Sequence, residues 1–199
     1  MRPLPAEFYA RDALEVAYDL IGCTISVGEV SVKITEVEAY RHPGDTANHA
    51  RFGRTPRNAP MWGPPGHAYI YLCYGLHRML NLVTGKEGEA EAVLIRAAEP
   101  VAGLAQIRER RGGKSGPVLL TGPGKVGAAL GLPMEWSGRP LDAEIQVFAR
   151  TETPPLVVGP RVGIDYASEA DRAAPWRVAL AGSAWVSQPK TLKALSASI

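Results

Sequence analysis

Residues 36–81 combine the side-chain types that chemistry on an extruded nucleobase requires. They contain a carboxylate-rich run, Glu36-Val37-Glu38-Ala39-Tyr40, then His49 and a loop rich in arginine. They end on the aromatic run Tyr69-Ile70-Tyr71-Leu72-Cys73-Tyr74-Gly75 and on Asn81. Such chemistry needs cations for phosphates, flat rings to stack a base and a carboxylate to activate water. The segment therefore predicts an enzyme that acts on a base outside its duplex.

The two acids of the first run lie in a segment that reads as a strand. Because side chains alternate along a strand, the pattern predicts Ile34, Glu36, Glu38 and Tyr40 on one face and Lys33 on the opposite one. Buried carboxylates are costly, so this face is either solvated or directed into a cleft. In a cleft, a glutamate at the strand end can take a proton from water and stabilise positive charge on a sugar. The position of Lys33 argues against attack by a lysine amine.

The tyrosines that follow are placed by the same alternation. Tyr69 and Tyr71 share one strand face, and Tyr71 together with Tyr40 can sandwich a flat base, worth ~1–3 kcal/mol per stacked base. Tyr74 breaks the alternation just before Gly75, where a turn is expected. An aromatic at such a tip either packs back locally or serves as a wedge in DNA. His49 lies in an irregular loop and can add a ring edge or a hydrogen bond.

Two other motifs carry weaker signals. His42, Asp45 and His49 are three metal-ligand types, but they lie on one loop without a fourth, so we predict no metal site. The run Thr121-Gly122-Pro123-Gly124-Lys125 resembles a nucleotide phosphate loop, yet Val126 stands where a magnesium-binding hydroxyl belongs. Its remaining use is at the start of a helix, where free N–H groups can bind a DNA phosphate.

Length and charge set the wider limits. A chain of 199 residues can bury roughly 70% of its unfolded surface, which suffices for one domain without disulfides, and Cys23 and Cys73 are expected as buried free thiols. The net charge is only +2, but basic residues cluster at 41–58 and 104–125. These clusters indicate either a polyanion-binding face or two solvated surfaces. No leader or membrane span is evident, so we expect a cytoplasmic protein.

The elements that must position these residues are short and joined by many turns. We predict helices at Asp12–Ile21, Pro100–Arg111 and Lys125–Leu130, and strands at Thr24–Val27, Val30–Val37, Ala68–Cys73, Leu80–Val83, Ala92–Ala97, Ile145–Ala149, Arg161–Ile164 and Ala184–Val186. Residues 41–66 are too rich in Pro, Gly, Asn and Arg to be regular, and a loop of that length is usually functional. Hairpins with interspersed helices predict an α+β fold with a largely antiparallel sheet.

Taken in order, these motifs resemble the alkyladenine (3-methyladenine) DNA glycosylase family. The resemblance covers about Pro5 to Ser187. It rests on the run 36–40, Arg54-Thr55-Pro56-Arg57-Asn58, Gly63-Pro64-Pro65-Gly66, Tyr69-Ile70-Tyr71 with Tyr74-Gly75, Asn81, Leu94-Ile95-Arg96-Ala97 and Trp185-Val186-Ser187. It implies a single compact domain over residues 1–199, with a curved sheet flanked by helices. The implied fold is similar to the carboxy-terminal domain of methionyl-tRNA formyltransferase.

The resemblance also implies a role for each matching residue. Glu38 would activate the attacking water and Arg96 would help to hold it. The base pocket would comprise Tyr40, His49, Tyr71 and Asn81, with Asn81 tending to exclude the exocyclic amine of guanine, and Tyr74 would intercalate in the DNA. The DNA backbone would be held by Arg54, Arg57, Gly122, Gly124, Lys125 and Ser183.

The implied activity is that of a monofunctional glycosylase of base-excision repair, which leaves an abasic site. Its substrate would be double-stranded DNA with damaged purines, and neither cofactor nor metal is expected. We expect a monomer without an obligate protein partner, associated with the nucleoid if the source is prokaryotic. Two other classes share some of these features: a damaged-DNA-binding module that flips bases without cleavage, and a metal-dependent hydrolase of nucleotides or RNA.

Overall fold

The fold is organised around one antiparallel sheet. The computed structural model describes residues 2–142 and 144–195 of the chain. Within them the strands are β1 (Thr24–Val27), β2 (Val30–Tyr40), β3 (Ala68–Cys73), β4 (His77–Thr84), β5 (Glu91–Ala102), β6 (Gln146–Phe148), β7 (Leu156–Gly159), β8 (Arg177–Leu180) and β9 (Lys193–Ala194). The helices are α1 (Ala6–Tyr9), α2 (Ala13–Leu20), α3 (Leu104–Arg110), α4 (Pro123–Leu130) and α5 (Glu169–Ala173), and short 3-10 turns lie at Ala59–Trp62, Pro117–Leu119, Met134–Trp136 and Pro189–Thr191.

The long strand β2 is the centre of the sheet. The strand order is β3-β4-β5-β2-β8-β7-β9, and every pair is antiparallel. Along one edge β2 pairs with β5. Along its other edge, the first half of β2 pairs with β1, which also pairs with β6, and the segment Glu36–Glu38 pairs with β8. The α+β class and the largely antiparallel sheet predicted from the sequence are confirmed.

Helices α2 and α4 pack on one face of this sheet and bury the main core. Helix α2 is preceded by its N-cap residue Asp12, whose side chain accepts a hydrogen bond from the Leu14 N–H. The apolar stripe of α2 packs on β2 and β5, α4 packs on β4 and β5, and the buried residues of both helices belong to one cluster. The other face of the sheet carries polar and aromatic side chains, and we call it the site face.

A register shift in the centre of the sheet sets which side chains reach the site face. Pairing between β2 and β5 passes from Ile34 to Glu36 on one strand and from Ala97 to Ile95 on the other, so it skips Thr35 and Arg96. We call this feature the double bulge. An extra residue reverses the alternation beyond it, because side chains have a period of two along a strand.

Because of the double bulge, the side-chain faces predicted for β2 are wrong at Ile34 and Lys33. Ile34 lies in the main core together with Val37, so it is not on the face of Glu36 and Glu38. Lys33, which precedes Ile34, therefore lies on the same face as Glu38 and not opposite to it. The argument that alternation alone excludes Lys33 was wrong, although five residues of strand, roughly 16 Å, separate the two side chains.

Most other element predictions are confirmed, and three are wrong. Residues 100–102 continue β5, and the helix begins only at Leu104, after the turn at Gly103. Residues 161–164 form no strand, because the Val162 N–H donates to the Glu38 carboxylate and the chain turns at Gly163. Residues 184–186 form no strand either. The strands present in the carboxy-terminal part of the described chain are β7, β8 and β9, which the sequence pattern did not predict.

Three further expectations concern cysteines, membranes and chain limits. Cys23 is a buried free thiol as predicted, whereas Cys73 is a free thiol that is only half-buried. Over residues 2–142 and 144–195, no helix has the length and apolarity needed to cross a membrane. The predicted domain limits include residue 1 and residues 196–199, which lie outside the described part of the chain.

Close packing of α4 on β4 generates a stability prediction. A Cβ atom on Gly127 would overlap the backbone oxygen of Arg78, so Gly127→Ala must push the helix away from the strand. We expect a loss of about 1–3 kcal/mol in the free energy of unfolding, measured by urea denaturation, although alanine is the better helix former. Ala128→Ser, at the exposed neighbouring position, should change stability little. A Gly127→Ala protein as stable as wild type would contradict this packing.

Candidate active site

An aromatic cavity of about 410 Å³ opens on the site face. Its lining comes from β2, β3, β4 and β5, from the loop after β2, from the start of α4 and from the segment after β7. The lining residues are Tyr40, His49, Arg57, Met61, Tyr69, Tyr71, Cys73, Tyr74, Met79, Asn81, Leu94, Arg96, Pro123, Val162, Gly163, Ile164 and Tyr166. A cavity of this size, mainly aromatic and apolar with a few polar groups, has the usual character of a small-molecule site.

One wall of the cavity is a fixed aromatic cluster. The rings of Tyr69 and Tyr71, on alternate positions of β3, are stacked with centroids 5.4 Å apart. His49 packs its edge against Tyr71 at 4.5 Å, and its Nδ1 is hydrogen-bonded to the Tyr69 hydroxyl at 3.0 Å. The alternation of β3 had placed both tyrosines on one face, and the structure confirms that placement.

The ring of Tyr40 is supported from behind by a buried arginine. The guanidinium of Arg161 lies 4.7 Å from the Tyr40 ring and 4.8 Å from the Trp176 ring, and it forms a two-point ion pair with Asp45 at 2.5 and 2.8 Å. Burial, and then the negative charge of Glu38, raise the pKa of Tyr40 well above its usual range. Tyr40 therefore keeps its proton and donates it in a hydrogen bond to Glu38 Oε2 at 2.9 Å.

Glu38 lies immediately behind the cavity wall. Its Oε1 accepts the Val162 N–H at 2.7 Å and lies 3.3 Å from Arg96 Nη1, while Oε2 accepts the Tyr40 hydroxyl. These three neighbours all line the cavity. A carboxylate has about four acceptor positions, so Glu38 can accept one more donor, such as a water molecule at the cavity floor.

Glu36, the other acid of the strand, is bonded differently. Its carboxylate accepts Arg96 Nε at 3.1 Å, Arg177 Nη1 at 3.0 Å, and the hydroxyl and backbone N–H of Ser187 at 2.7 and 2.5 Å. Three of these donors bind Oε1 and the Ser187 N–H binds Oε2, and only Arg96 among the donor residues lines the cavity. The geometry therefore distinguishes two neighbouring acids that the sequence pattern had placed together. Glu38 can serve a reactant, and Glu36 holds an arginine.

Arg96 bridges the two acids at the double bulge. Burial would lower its pKa, but the charges of Glu38 and Glu36 outweigh that effect and raise it. Arg96 is therefore a permanent cation whose Nη1 faces Glu38 beside the cavity. The sequence predicted Glu38 and Arg96 as a catalytic pair, and the structure brings their side chains into contact.

The β3–β4 hairpin carries an exposed aromatic side chain at its tip. Tyr74 is 91% exposed, and Tyr74 and Gly75 both have left-handed backbone conformations, with φ of 52° and 70°. The Leu76 N–H donates to the Cys73 carbonyl at 3.1 Å, which closes a type I′ turn. A left-handed residue with a side chain costs roughly 1–2 kcal/mol, so the hairpin holds Tyr74 outward against its own backbone preference.

Basic side chains surround the mouth of the cavity. Arg57 lines it, donates to the Leu72 carbonyl at 2.9 Å and lies 5.8 Å from the Tyr71 ring. Arg51 lies between the rings of Phe52 and Tyr166, 4.6 and 4.8 Å from their centroids. Arg54 is exposed on the same loop but does not line the cavity.

The predicted phosphate-binding segment lies at the rim. Pro123 lines the cavity, and the Gly122 N–H donates to the Arg96 carbonyl at 3.0 Å, so the start of α4 is joined to the double bulge. Partial burial, and then Arg111 and Lys114, lower the pKa of Lys125, which places Lys125 in a cationic group. Gly124 packs so closely on β4 that a Cβ would lie 2.8 Å from His77 Cβ. Ser183 is half-buried, off the cavity, and its hydroxyl accepts the Trp185 N–H at 3.1 Å.

Several site residues were not predicted from the sequence. Tyr166 lines the cavity and donates its hydroxyl to the Ala47 carbonyl at 2.8 Å, and Val162 contributes the N–H that binds Glu38. Val162 belongs to the segment 161–164 that the pattern predicted wrongly as a strand, and Tyr166 follows that segment. No alternation or motif in that segment identified them. Tyr69 is different, since its alternation with Tyr71 was a sufficient signal.

The three candidate metal ligands of the loop turn to separate partners. His42 packs its ring on Trp62, Asp45 pairs with Arg161, and His49 bonds to Tyr69. Among the residues that the structure describes, no group of three or more His, Cys, Asp or Glu side chains is arranged to hold a metal ion.

Comparison with known proteins matches nearly the whole chain. A family model described as methylpurine-DNA glycosylase (MPG) matches residues 7–184. A protein of Nitrosococcus oceani named 3-methyladenine DNA glycosylase is 60% identical over 186 residues, which cover 92% of this chain and 92% of that protein. A DNA-3-methyladenine glycosylase of Arabidopsis thaliana is 54% identical over 200 residues, covering 98% of this chain and 78% of that protein.

The environment of His49 generates a pH prediction. Burial, and then Arg57 and Arg51, lower the pKa of His49 from 6.5 to about 4. The unfolded chain therefore binds this proton more readily, and the stability that neutral His49 contributes is present above about pH 6.5 and lost as the pH falls towards 4. Urea unfolding at pH 7.5 and 5.0 should show a larger loss for wild type than for His49→Gln. Equal losses, or an NMR titration of His49 centred near its usual pKa, would contradict this environment.

Proposed function

The chain belongs to the methylpurine-DNA glycosylase family, and on that premise we propose that its aromatic cavity receives a damaged purine whose bond to deoxyribose is hydrolysed by Glu38 and Arg96. The enzyme is a DNA glycosylase, a hydrolase of N-glycosyl bonds in base-excision repair. One observation carries the residue assignment. The Glu38 carboxylate is held by three residues that all line the aromatic cavity, and it has an acceptor position to spare.

Binding of double-stranded DNA begins with its phosphates. Arg57 lines the cavity, and Lys125 and the backbone N–H of Gly124 lie next to Pro123 at its rim, where they can hold the strand on either side of an extruded nucleotide. The phosphate contact predicted for Gly122 does not fit its backbone N–H, because that group already donates to the Arg96 carbonyl. Arg54 and Ser183 are proposed as outer phosphate contacts. Binding of this kind releases counterions, so affinity should fall steeply with salt.

The exposed ring of Tyr74 is proposed to fill the gap left by the flipped nucleotide. Its hairpin adjoins the cavity, and Tyr74 itself contributes to the lining. A damaged base pairs and stacks poorly, so its extrusion costs less than that of a normal base. Insertion of an apolar wedge offsets part of the lost stacking.

In the cavity the base stacks on Tyr71 and Tyr40, with His49 against its edge. A purine nucleotide alkylated at N3 or N7 carries positive charge, which favours the faces of tyrosine by ~0.5–2 kcal/mol. Asn81 donates its amide N–H to the Tyr69 carbonyl at 3.1 Å, which fixes its side chain at the cavity wall. We propose that the fixed Asn81 side chain excludes the exocyclic amine of guanine.

The chemistry is displacement of the base by water. Glu38 takes a proton from the water as its oxygen bonds to C1′, and the bond from C1′ to the purine nitrogen breaks with its electron pair on the base. An alkylated purine leaves as a neutral molecule, so it is a good leaving group. Arg96 holds the water with Glu38, and Tyr40 orients the carboxylate through its hydroxyl.

We propose a monofunctional reaction with no imine intermediate. Within the described part of the chain no lysine lines the cavity, and the ammonium group of Lys33 is paired with Glu99 at 2.5 Å. Trapping of a protein–DNA adduct with borohydride would contradict a purely hydrolytic step.

Five further expectations remain predictions. They are the preference for alkylated purines, the monomeric state, the nucleoid location, the extent of the single domain and the likeness to the formyltransferase domain. The preference for alkylated purines is tested by measuring base release from duplexes that each carry one defined lesion.

The central test is Glu38→Gln. We expect release of 3-methyladenine from duplex DNA to fall by more than roughly 100-fold, because the general base is lost, while binding of the lesion duplex is retained. Glu91→Gln is the matched control, since Glu91 is a buried carboxylate that binds the Ala13 N–H away from the cavity. Undiminished release by Glu38→Gln would remove Glu38 from the mechanism. A wild-type protein that binds and flips the lesion but never releases the base would instead be a binding module.

A second test separates stability from function at the hairpin tip. Tyr74→Asn should raise the free energy of unfolding by about 1 kcal/mol, because asparagine tolerates the left-handed conformation, while base release from duplex DNA falls. Tyr74→Phe keeps both the ring and the strain and should resemble wild type in both measurements. If Tyr74→Asn released the base at the wild-type rate, the ring would not be the wedge.

A further inference from the structure

Glu36 is a buried acid that the proposed mechanism leaves without a role. It is 0% exposed, lies two residues before Glu38 on the site face and touches neither the cavity nor bulk solvent. An ionised carboxylate is expensive to bury unless its partners compensate, so its retention at this position requires an account. Resting on the proposed function, we infer that Glu36 is a positioning residue for base release, which fixes the guanidinium of Arg96 beside Glu38.

The contact between Glu36 and Arg96 has the geometry of a clamp. Glu36 Oε1 accepts Arg96 Nε at 3.1 Å, on the edge of the guanidinium nearest its stem. Arg96 Nη1, at the opposite edge, lies 3.3 Å from Glu38 Oε1. Because a guanidinium is planar and rigid, a bond at Nε sets the direction of both Nη groups. Glu36 therefore determines which nitrogen of Arg96 faces Glu38 and how the guanidinium plane is oriented at the cavity floor.

Glu36 can act as a clamp because it is itself held from two other elements. Arg177 on β8 donates Nη1 to Glu36 at 3.0 Å and Nε to the Pro160 carbonyl at 2.8 Å. Ser187 donates both its hydroxyl and its backbone N–H to Glu36. The carboxylate is thus fixed by the neighbouring strand and by the carboxy-terminal segment, and it cannot follow Arg96 if that side chain moves.

The charges explain what neutralising Glu36 would do. The two acids balance Arg96 and Arg177, so the four buried groups sum to zero. Without the negative charge of Glu36, Arg96 has Glu38 as its remaining acidic partner and is drawn into a two-point contact with it. That contact would occupy the acceptor position of Glu38 that a water molecule needs. The loss would therefore fall on the chemical step and not on DNA binding.

The test measures chemistry and binding separately. We expect Glu36→Gln to slow single-turnover release of 3-methyladenine by roughly 10- to 100-fold, the scale of a misplaced catalytic group, with an unchanged Kd for the lesion duplex. The effect should disappear in an Arg96→Gln background, because Glu36 acts through Arg96. A purely structural role would instead give equal losses in both backgrounds, with melting temperatures that fall in parallel. Glu91→Gln again controls for neutralising a buried acid.

A milder variant keeps the inference testable if Glu36→Gln does not fold. Ser187→Ala removes one donor to Glu36 and leaves its charge, and it also removes the hydroxyl that accepts Arg96 Nη2 at 3.4 Å. We expect a smaller loss of the release rate, again with Kd unchanged and again absent in the Arg96→Gln background. Glu36→Asp, which keeps Ser187, tests the contact through Glu36 alone. Wild-type release rates in both Ser187→Ala and Glu36→Asp would overturn the inference. Failure of the wild-type protein to release any base would contradict the proposed function itself and is distinguished by that control.

Discussion

Two carboxylates and two guanidinium groups lie side by side in the centre of the sheet, shielded from water, and their charges cancel. Glu36, Glu38 and Arg177 have side chains that are 0% exposed, and that of Arg96 is 7% exposed. Removing any one of them would leave an uncompensated buried charge, which costs several kcal/mol. The adjacency of β2, β5 and β8 follows from this constraint, because each of these strands supplies part of the balance. So does the position of the carboxy-terminal segment, whose Ser187 completes the bonding of Glu36.

The double bulge allows one sheet to have two chemically different faces. Before it, Val32 and Ile34 face the helices, and after it Val37 and Ala39 do so. The extra residue on each strand therefore brings two acids and an arginine together on the site face while apolar residues of β2 face the helices on both sides of the bulge. A bulge also disrupts the ladder locally, and part of that cost is offset by the Gly122 N–H, which binds the Arg96 carbonyl. Arg96, which is proposed to hold the attacking water, and the start of α4, which is proposed to bind phosphate, are joined at this point.

The site divides into a fixed part and an exposed part. Stacking of Tyr69 on Tyr71, and the support of Tyr40 by Arg161, hold the aromatic walls of the cavity in place without any bound molecule. Pre-arranged groups of this kind need little reorganisation during the reaction. The hairpin tip, in contrast, is exposed to solvent, and Tyr74 there has a strained left-handed backbone conformation. The free-energy cost of this strain could be offset by contacts of Tyr74 with a bound partner, such as the bases of a DNA duplex.

Alternation and motif order in the sequence were enough to determine the antiparallel α+β fold, the shared face of Tyr69 and Tyr71, the turn before Gly75 and the residue types of the site. They could not determine the faces of β2, because alternation is a local rule that one extra residue reverses. Nor could they reveal that Glu36 bonds to Arg177, 141 positions away, or that Val162 binds Glu38. Those contacts exist only because strand order brings distant segments together around a charge balance that no local pattern records. The tertiary structure therefore decided which acid lies against the cavity wall and which one is bonded to both arginines.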